Sequence, residues 1–158
     1  MTLFGSLNFS HRVDWIFLPS GLRLAFVLLF LADGALGIAL ASTLITYLLY
    51  FDGSYISMLL NGSMAGLAPY LARQIAIHYW HLDKDLKNLK AIGILKISVL
   101  FAVISALVHQ LWYFWSGKTD DFLASASVMM VGDLLGTLMV LFTLKVLAPR
   151  FNPLKKQL

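Results

Sequence analysis

The sequence contains no cysteine and little charge. The lack of cysteine excludes disulfides, thiolate metal sites and thiol redox chemistry. Charged residues make up 13% of the 158 residues, whereas soluble domains contain roughly 25%. Hydrophobic residues make up 59%, which leaves no room for a separate soluble domain of about 100 residues or more. The composition therefore predicts a single transmembrane domain over residues 1–158.

Catalytic and nucleotide-binding motifs are also missing. The sequence has no nucleotide loop, no Ser/His/Asp arrangement and no carboxylate pair at a metal-binding spacing, so we expect no enzyme activity and no cofactor. Residues 1–14 lack the apolar core and small-residue cleavage site of a signal peptide. The net charge of +4 lies beside apolar segments, where it sets membrane orientation, and it predicts no nucleic-acid binding.

What the sequence does contain is a series of apolar segments, which predicts an all-α, polytopic transmembrane helix bundle. The first segment is interrupted at Pro19, a residue suited to the first turn of a helix. About 14 helical residues then remain, fewer than the roughly 20 needed to cross a bilayer. Either an extended stretch before Pro19 completes the crossing, or the segment is a half-helix shielded by its neighbours. The five predicted segments are 15–32, 34–51, 54–77, 91–115 and 122–147.

Two features divide or bend these segments. Asp33 and Gly34 form a tight turn between the first two. Pro69 removes a backbone hydrogen bond and predicts a kink in the third, near Ala65.

Basic residues predict the orientation. A cytoplasmic basic face is expected before the fourth segment, and Arg150, Lys155 and Lys156 follow the fifth. Lysine and arginine mark the cytoplasmic side of short loops, and five crossings place both regions on one side. The N-terminus is therefore expected outside and the C-terminus in the cytoplasm. The predicted basic face comprises Arg73, Lys84, Lys87 and Lys90.

Polar residues at bilayer depth are the candidate site. Asp133 lies near the middle of the fifth segment, where an ionised carboxylate costs several kcal/mol unless it has a partner. At a rise of about 1.5 Å per residue, Arg23, Asn61 and His109 reach a similar layer in the outer half of the membrane. A guanidinium fork matches a carboxylate well. Two interpretations stay open: a polar cavity for a ligand or proton, or an Arg23–Asp133 ion pair that fixes helix register.

Small residues predict close helix contacts. Gly62 with Gly66, and Gly132 with Gly136, form two GxxxG pairs, which let another helix approach. These contacts could lie within the chain or between chains.

Histidines raise a haem or metal hypothesis. His78 and His81 are three apart at one helix end, but His109 is expected near the opposite interface. The three cannot ligate one ion, so no metal site is predicted.

Several short motifs, in order along the chain, resemble the MASE1 family of bacterial integral membrane sensory domains. Residues 15–25 resemble the family's aromatic-x-Pro-x-Gly-hydrophobic motif. Residues 34–42 are similar to its Pro-Gly-x-x-x-Gly helix, although Ala35 and Leu36 stand where the family often has Trp-Pro. Residues 85–89, before an apolar helix, and 131–136 are the other matches.

The resemblance implies a sensory module of the bacterial inner membrane that is usually fused to a histidine kinase or a cyclic-dinucleotide enzyme. It also implies that Asp133 belongs to the family's polar core. Two departures accompany it: no helix is expected before Trp15, and about ten residues follow the last helix, so no effector domain is expected.

The leading hypothesis is a non-enzymatic membrane accessory or sensory subunit. It would act by helix packing with partner membrane subunits, or as a homo-oligomer, within the lipid bilayer. The alternative is a small-molecule-binding membrane subunit of a transporter, with its ligand near Asn61, His109 and Asp133. A haem-binding subunit, through His78 or His109, is a third possibility.

Overall fold

The computed structural model describes residues 8–10, 13–14, 17–50, 53–83, 86 and 89–147. Four helices form the architecture, and a short antiparallel hairpin before them lies against the fourth helix. The elements are β1 (Asn8–Ser10), β2 (Val13–Asp14), α1 (Leu18–Tyr50), α2 (Tyr55–Trp80), α3 (Ala91–Trp115) and α4 (Phe122–Leu147).

The all-α architecture agrees with the sequence prediction, but the count of five segments is not confirmed. The bounds of α3 and α4 are the predicted ones, and α2 ends three residues later than predicted. The difference lies in α1, a single assigned helix over both of the first two predicted segments. The two strands were not predicted. Trp15, Ile16 and Phe51, at the ends of predicted segments, lie outside the described residues.

A sharp break interrupts α1 at Leu31, where φ is 59° and ψ is −130°. Gly34 packs against the backbone of Phe26, and a Cβ at Gly34 would lie 2.5 Å from the Phe26 carbonyl oxygen. In an unbroken helix, residues eight apart are separated by about 12 Å along the axis. The chain therefore folds back on itself here, two residues before the predicted turn. We call residues 18–30 α1a and residues 32–50 α1b.

The contacts of the two halves show that they run in opposite directions. Gly21 of α1a approaches Gly136 and Val140 of α4, while Ser20 bonds to the Asp133 backbone, so α1a runs parallel to α4. By contrast, α1b runs antiparallel to α2.

The contacts between the other helix pairs show how the remaining helices run relative to one another. The end of α2 meets the start of α3. Gln110 bonds to Met129 and Phe114 packs on Phe122, so α3 and α4 are antiparallel. It follows that α2 and α4 point the same way, and α1a points with them.

The bundle buries small and polar residues and exposes large apolar ones. On α1b, Leu40 is 72% and Leu49 70% exposed, and Leu123 of α4 is 74% exposed. Apolar residues on the outside indicate a lipid environment, because such a surface would be unfavourable in water. Within the described residues, three stretches are long and apolar enough by length and composition to cross a membrane: Leu18–Leu49, which includes the break at Leu31, α3 and α4.

At the centre of the bundle, α1a contributes buried residues to a core shared by all four helices. Leu24 and Leu28 pack with Ala72 of α2, Phe101 of α3 and Leu141 of α4. One face of α1a therefore packs on the other helices, while Phe26, Leu29 and Phe30 on its opposite face are about half exposed or more. Its 13 residues extend only about 20 Å.

The pair Gly62 and Gly66 forms the contact between α2 and α1b. A Cβ at Gly62 would overlap the Thr43 hydroxyl and lie 2.8 Å from the Ala39 carbonyl oxygen. A Cβ at Gly66 would overlap the Ala35 carbonyl oxygen. Since these obstacles include backbone atoms, the two helices can pack this closely only with glycine at both positions. Pro69 lies one turn further along α2, which continues through it as a helix.

Gly66→Ala is expected to lower the stability of the bundle by about 1–3 kcal/mol, because overpacking forces the two backbones apart. The measurement is the thermal unfolding midpoint of the purified protein in detergent. Gly37→Ala is the matched control, because a Cβ at Gly37 meets nothing within 4 Å. Equal midpoints for the two variants would contradict the close α1b–α2 contact.

Candidate functional site

The start of α1a is attached to the middle of α4 by its backbone. The Phe17 N–H donates a hydrogen bond of 3.1 Å to the carbonyl oxygen of Gly132. A Cβ at Gly136 would overlap the Phe17 carbonyl oxygen. Thus Gly132 and Gly136, the second predicted glycine pair, lie at a contact within the chain.

Ser20 extends this attachment. Its hydroxyl lies 2.7 Å from the carbonyl oxygen of Phe17 and 3.0 Å from the backbone carbonyl oxygen of Asp133. Thr137 Oγ1 is 3.3 Å away. The single hydroxyl proton is shared between the two carbonyl oxygens, and either hydroxyl can donate in the contact with Thr137. Ser20 is fully buried. The hydroxyl therefore joins the first turn of α1a to α4 beside Asp133.

Asp133 is fully buried, and neither of its carboxylate oxygens has a hydrogen-bond partner among the described residues. The hydroxyls of Ser105 and Ser20 lie close enough to interact favourably with the carboxylate, but neither has the distance and angle of a hydrogen bond to it. The Ser105 hydroxyl has no partner of its own. An acceptor and a donor therefore remain unused side by side in the protein interior.

Arg23 carries the positive charge that acts on Asp133, but the two side chains do not form the predicted direct ion pair. The guanidinium lies within Coulombic range of the carboxylate, yet no arginine nitrogen bonds to either oxygen. Instead, Arg23 Cζ lies 5.2 Å from the centroid of the Phe17 ring, a cation–π distance. The expectation of a fork on the carboxylate was wrong because Phe17, packed at the start of α1a, holds the guanidinium.

His109 completes the group from α3. It is 4% exposed and donates its Nδ1 proton to the carbonyl oxygen of Ser105, 2.9 Å away. Its ring also packs edge-on against Tyr113, with 6.3 Å between centroids. His109 and Arg23 are within electrostatic range of each other. We call Ser20, Arg23, Ser105, His109 and Asp133 the polar core.

Asn61, the fourth residue of the predicted layer, is buried in α2 but is not joined to the polar core by any described contact. Both atoms of its amide lack partners. Similarly, Gln110 donates to the Met129 sulfur at 3.5 Å, while its carbonyl oxygen has no partner. Contacts within the described residues bring Arg23, His109 and Asp133 together, and the place of Asn61 in the same layer stays a prediction. Depth along separate helices does not show which faces meet.

The predicted basic face needs one correction. Arg73 is only 4% exposed and lies on the buried side of α2 with Ala72 and Ala76, so it is not part of an exposed face. Nearness in sequence to the lysines suggested exposure, but the helical repeat turns the residue inward. Lys90 is exposed, whereas Lys84 and Lys87 lie outside the described residues.

The histidines do not converge. His78 and His81 are exposed at the end of α2, whereas His109 is buried far along α3. Within the described ranges, no group of three or more His, Cys, Asp or Glu side chains could hold a metal ion.

The polar core has the chemistry of a site for a small polar guest. Buried donors and acceptors in proteins are normally satisfied, and an unused one commonly marks a bound water or ion. The carboxylate of Asp133 can accept two or more hydrogen bonds, and the Ser105 hydroxyl can donate one. A water molecule would meet both needs without a further charge, because it donates to the carboxylate and accepts from the hydroxyl, whereas a proton would neutralise the carboxylate. The arrangement contains no activated nucleophile.

Sequence reasoning missed Ser20, Ser105 and Thr137. Serine and threonine hydroxyls are common in membrane helices, where they bond to backbone carbonyls, so they carry little signal individually. One signal was available: Ser20 follows Pro19 in the first turn of a helix, where hydroxyl side chains bond to local backbone groups.

Comparison of the chain with protein-family models, with curated proteins and with solved structures finds no match.

A double-mutant cycle tests whether Arg23 and Asp133 are coupled. Arg23→Gln and Asp133→Asn should each lower stability, because each leaves one buried charge without its opposite. The double variant should lose less than the sum, with a coupling of roughly 0.5–3 kcal/mol. Thermal unfolding in detergent gives the four stabilities. Additivity within about 0.5 kcal/mol would show that the two charges do not interact.

Proposed function

We propose that the chain is a non-enzymatic, multi-pass membrane protein that serves as a sensory or accessory subunit. Its polar core is the element that responds to a signal, and its helices transmit the change by packing against partner membrane proteins or a second copy of the chain. The lipid bilayer is its other partner. The observation that carries this proposal is the carboxylate of Asp133, which is fully buried and unpartnered among the described residues.

A buried, unsatisfied carboxylate supports a switch because it can exist in two states of different energy. The protein interior is less polarizable than water, so the ionised state of the carboxylate is costly there. Binding of a proton, a water molecule or a ligand changes that cost. The residues around it belong to different helices: Ser20 and Arg23 to α1a, Ser105 and His109 to α3. A change at Asp133 therefore acts on three helices at once.

The helix packing supports one surface of the bundle as the contact that passes the signal to a partner protein. The two glycine pairs are occupied inside the chain, by α1b and by the start of α1a. Contacts with a partner would then use the outer apolar surface. The outer face of α1b is the most extensive candidate, because Leu40, Leu44 and Leu48 are all more than half exposed.

Membership of the MASE1-like type, in a bacterial inner membrane, is part of the same proposal. It is supported by the motif order along the sequence. We further propose five crossings, with α1a and α1b counted separately, the N-terminus outside and the C-terminus in the cytoplasm. The reversal at Leu31 supports this count, although α1a alone is too short to cross the bilayer.

A substrate-binding subunit of a transporter is the second candidate. It is favoured by the short helix α1a, which begins beside Asp133 at the middle of α4. Interrupted helices that start near the membrane centre are typical of transporter binding sites. The unsatisfied amide of Asn61 and the unsatisfied carbonyl oxygen of Gln110 offer further groups for a polar substrate.

Asp133→Asn tests the sensory role. We expect the variant to keep the fold despite its lower stability, because asparagine retains the shape of the side chain and breaks no hydrogen bond that the carboxylate makes among the described residues. Wild-type protein purified from its native membrane in mild detergent should bring down a membrane partner in fixed ratio, and the variant should bring down less of it. Mass spectrometry of the eluate gives both amounts.

Asp33→Asn is the matched control, since Asp33 is exposed at the α1 reversal and should leave the ratio unchanged. A wild-type chain that elutes alone with a small molecule would contradict the accessory role and favour the transporter. An aggregated Asp133→Asn variant would assign the residue to folding alone.

The orientation can be tested with single cysteines, because the chain has none of its own. Asp33→Cys and Asp83→Cys should react with a membrane-impermeant maleimide only after cells are permeabilised. Ser116→Cys, between α3 and α4, should react in intact spheroplasts. The reverse pattern would invert the topology. An Asp33→Cys variant that never reacts would place the reversal inside the bilayer and contradict five crossings.

A further inference from the structure

A groove of about 150 Å³ lies where the end of α2 meets the start of α3, away from the polar core. Ala76 and Ile97, each 1% exposed, form its floor, and Leu82 and Leu89 form its walls. Apolar cavities of about this volume hold a benzene-sized group. The groove therefore has room for a short section of a hydrocarbon chain.

Gly93 keeps this groove open. A Cβ at this position would lie 3.1 Å from the Leu89 Cδ1 atom, which is tighter than ordinary contact. Any larger side chain would occupy the space between Leu89 and the floor. The position can therefore be used to fill the groove without changing its charge.

Two lysines lie at the rim of the groove. The side chains of Lys90 and Lys96 both line it and are exposed. Lys96 Nζ is 6.0 Å from the centroid of the Trp80 ring, which is within cation–π range and keeps the ammonium at the groove. The groove, which has room for a short section of a hydrocarbon chain, thus has two cations at its opening.

The groove is at one end of the bundle, at the depth expected for a membrane surface. Tyr79 and Trp80 are exposed there, and exposed tyrosine and tryptophan mark the headgroup level. Lys84 and Lys87 add positive charge to the adjoining connection in the sequence, while Asp83 and Asp85 offset part of it. With Lys90 and Lys96 included, this region has four lysines against two aspartates.

We propose that this groove binds one anionic phospholipid. The headgroup phosphate lies between Lys90 and Lys96, and the first methylene groups of one acyl chain cover Ala76 and Ile97. A phospholipid meets both requirements of the site, because its anion and its hydrocarbon are joined at the depth where the lysines adjoin the apolar floor. The inference depends on the chain spanning a membrane and is independent of the sensory role.

The test measures lipid affinity by native mass spectrometry on delipidated protein in detergent. The probes are phosphatidylglycerol and phosphatidylcholine with identical acyl chains. Wild-type protein should bind phosphatidylglycerol more tightly. Because surface lysines attract an anionic headgroup, Lys90→Gln with Lys96→Gln should weaken phosphatidylglycerol binding roughly thirtyfold. The loss for phosphatidylcholine should be smaller, because its choline cation offsets the charge of its phosphate. Gly93→Leu should weaken the binding of both lipids.

Lys145→Gln is the control, because it removes the same charge from an exposed residue at the end of α4 that does not line the groove. The proposal is overturned if the lysine double variant binds phosphatidylglycerol as tightly as Lys145→Gln does. Equal wild-type affinity for the two lipids would also overturn it. Displacement of the lipid by inorganic phosphate at equal concentration would show an anion site that does not use the groove. If Gly93→Leu fails to fold, the lysine variants still decide the result.

Discussion

The backbone hydrogen bond from Phe17 to Gly132 is the contact on which the rest of the bundle depends. It fixes where α1a begins, halfway along α4, and is possible because Gly136 has no side chain to meet the Phe17 backbone. From that starting point the first helical turn brings Ser20 against the Asp133 backbone, and the next turn brings Arg23 within range of its carboxylate. A helix that started one turn earlier or later would lose both the Ser20 hydrogen bond and the attraction between Arg23 and Asp133.

The polar core shows how a membrane protein can hold opposite charges without joining them. Arg23 and Asp133 influence each other across a gap, because the interior screens charge weakly. Direct pairing would have satisfied both groups and removed the need for anything else at the site. Separation leaves the carboxylate available, while the attraction still lowers the cost of burying it. The result is a site with spare hydrogen-bonding capacity, surrounded by helices that depend on its state.

Hydropathy and helix-end signals predicted the long helices well. The bounds of α3 and α4 follow from continuous apolar runs that end at polar loops, and Asp121, which accepts a hydrogen bond of 2.9 Å from the Ala124 N–H, fits the start of α4. Pro19 correctly suggested that the regular helix begins late, since α1 starts at Leu18. These features are local, so a single sequence contains them.

Contacts between helices were harder to predict, because they depend on how each helix is rotated about its own long axis. Arg73 was expected at the surface and is buried, and no described contact joins Asn61 to the polar core. The reversal in α1 falls at Leu31, a bulky residue with positive φ, and not at Gly34. Gly34 is needed instead for its lack of a side chain against Phe26, a role that only the folded arrangement reveals.

The parallel contact between α1a and α4 has a consequence for biosynthesis. Ribosomes make the chain from its N-terminus, so α1a leaves the ribosome first and its docking surface on α4 leaves last. Until α4 is inserted, Ser20 and Arg23 lack the partners that they have in the finished bundle. Helix α1a must therefore wait, in the translocon or at the membrane surface, for α4. Folding of the bundle is consequently completed only after α4 has been translated.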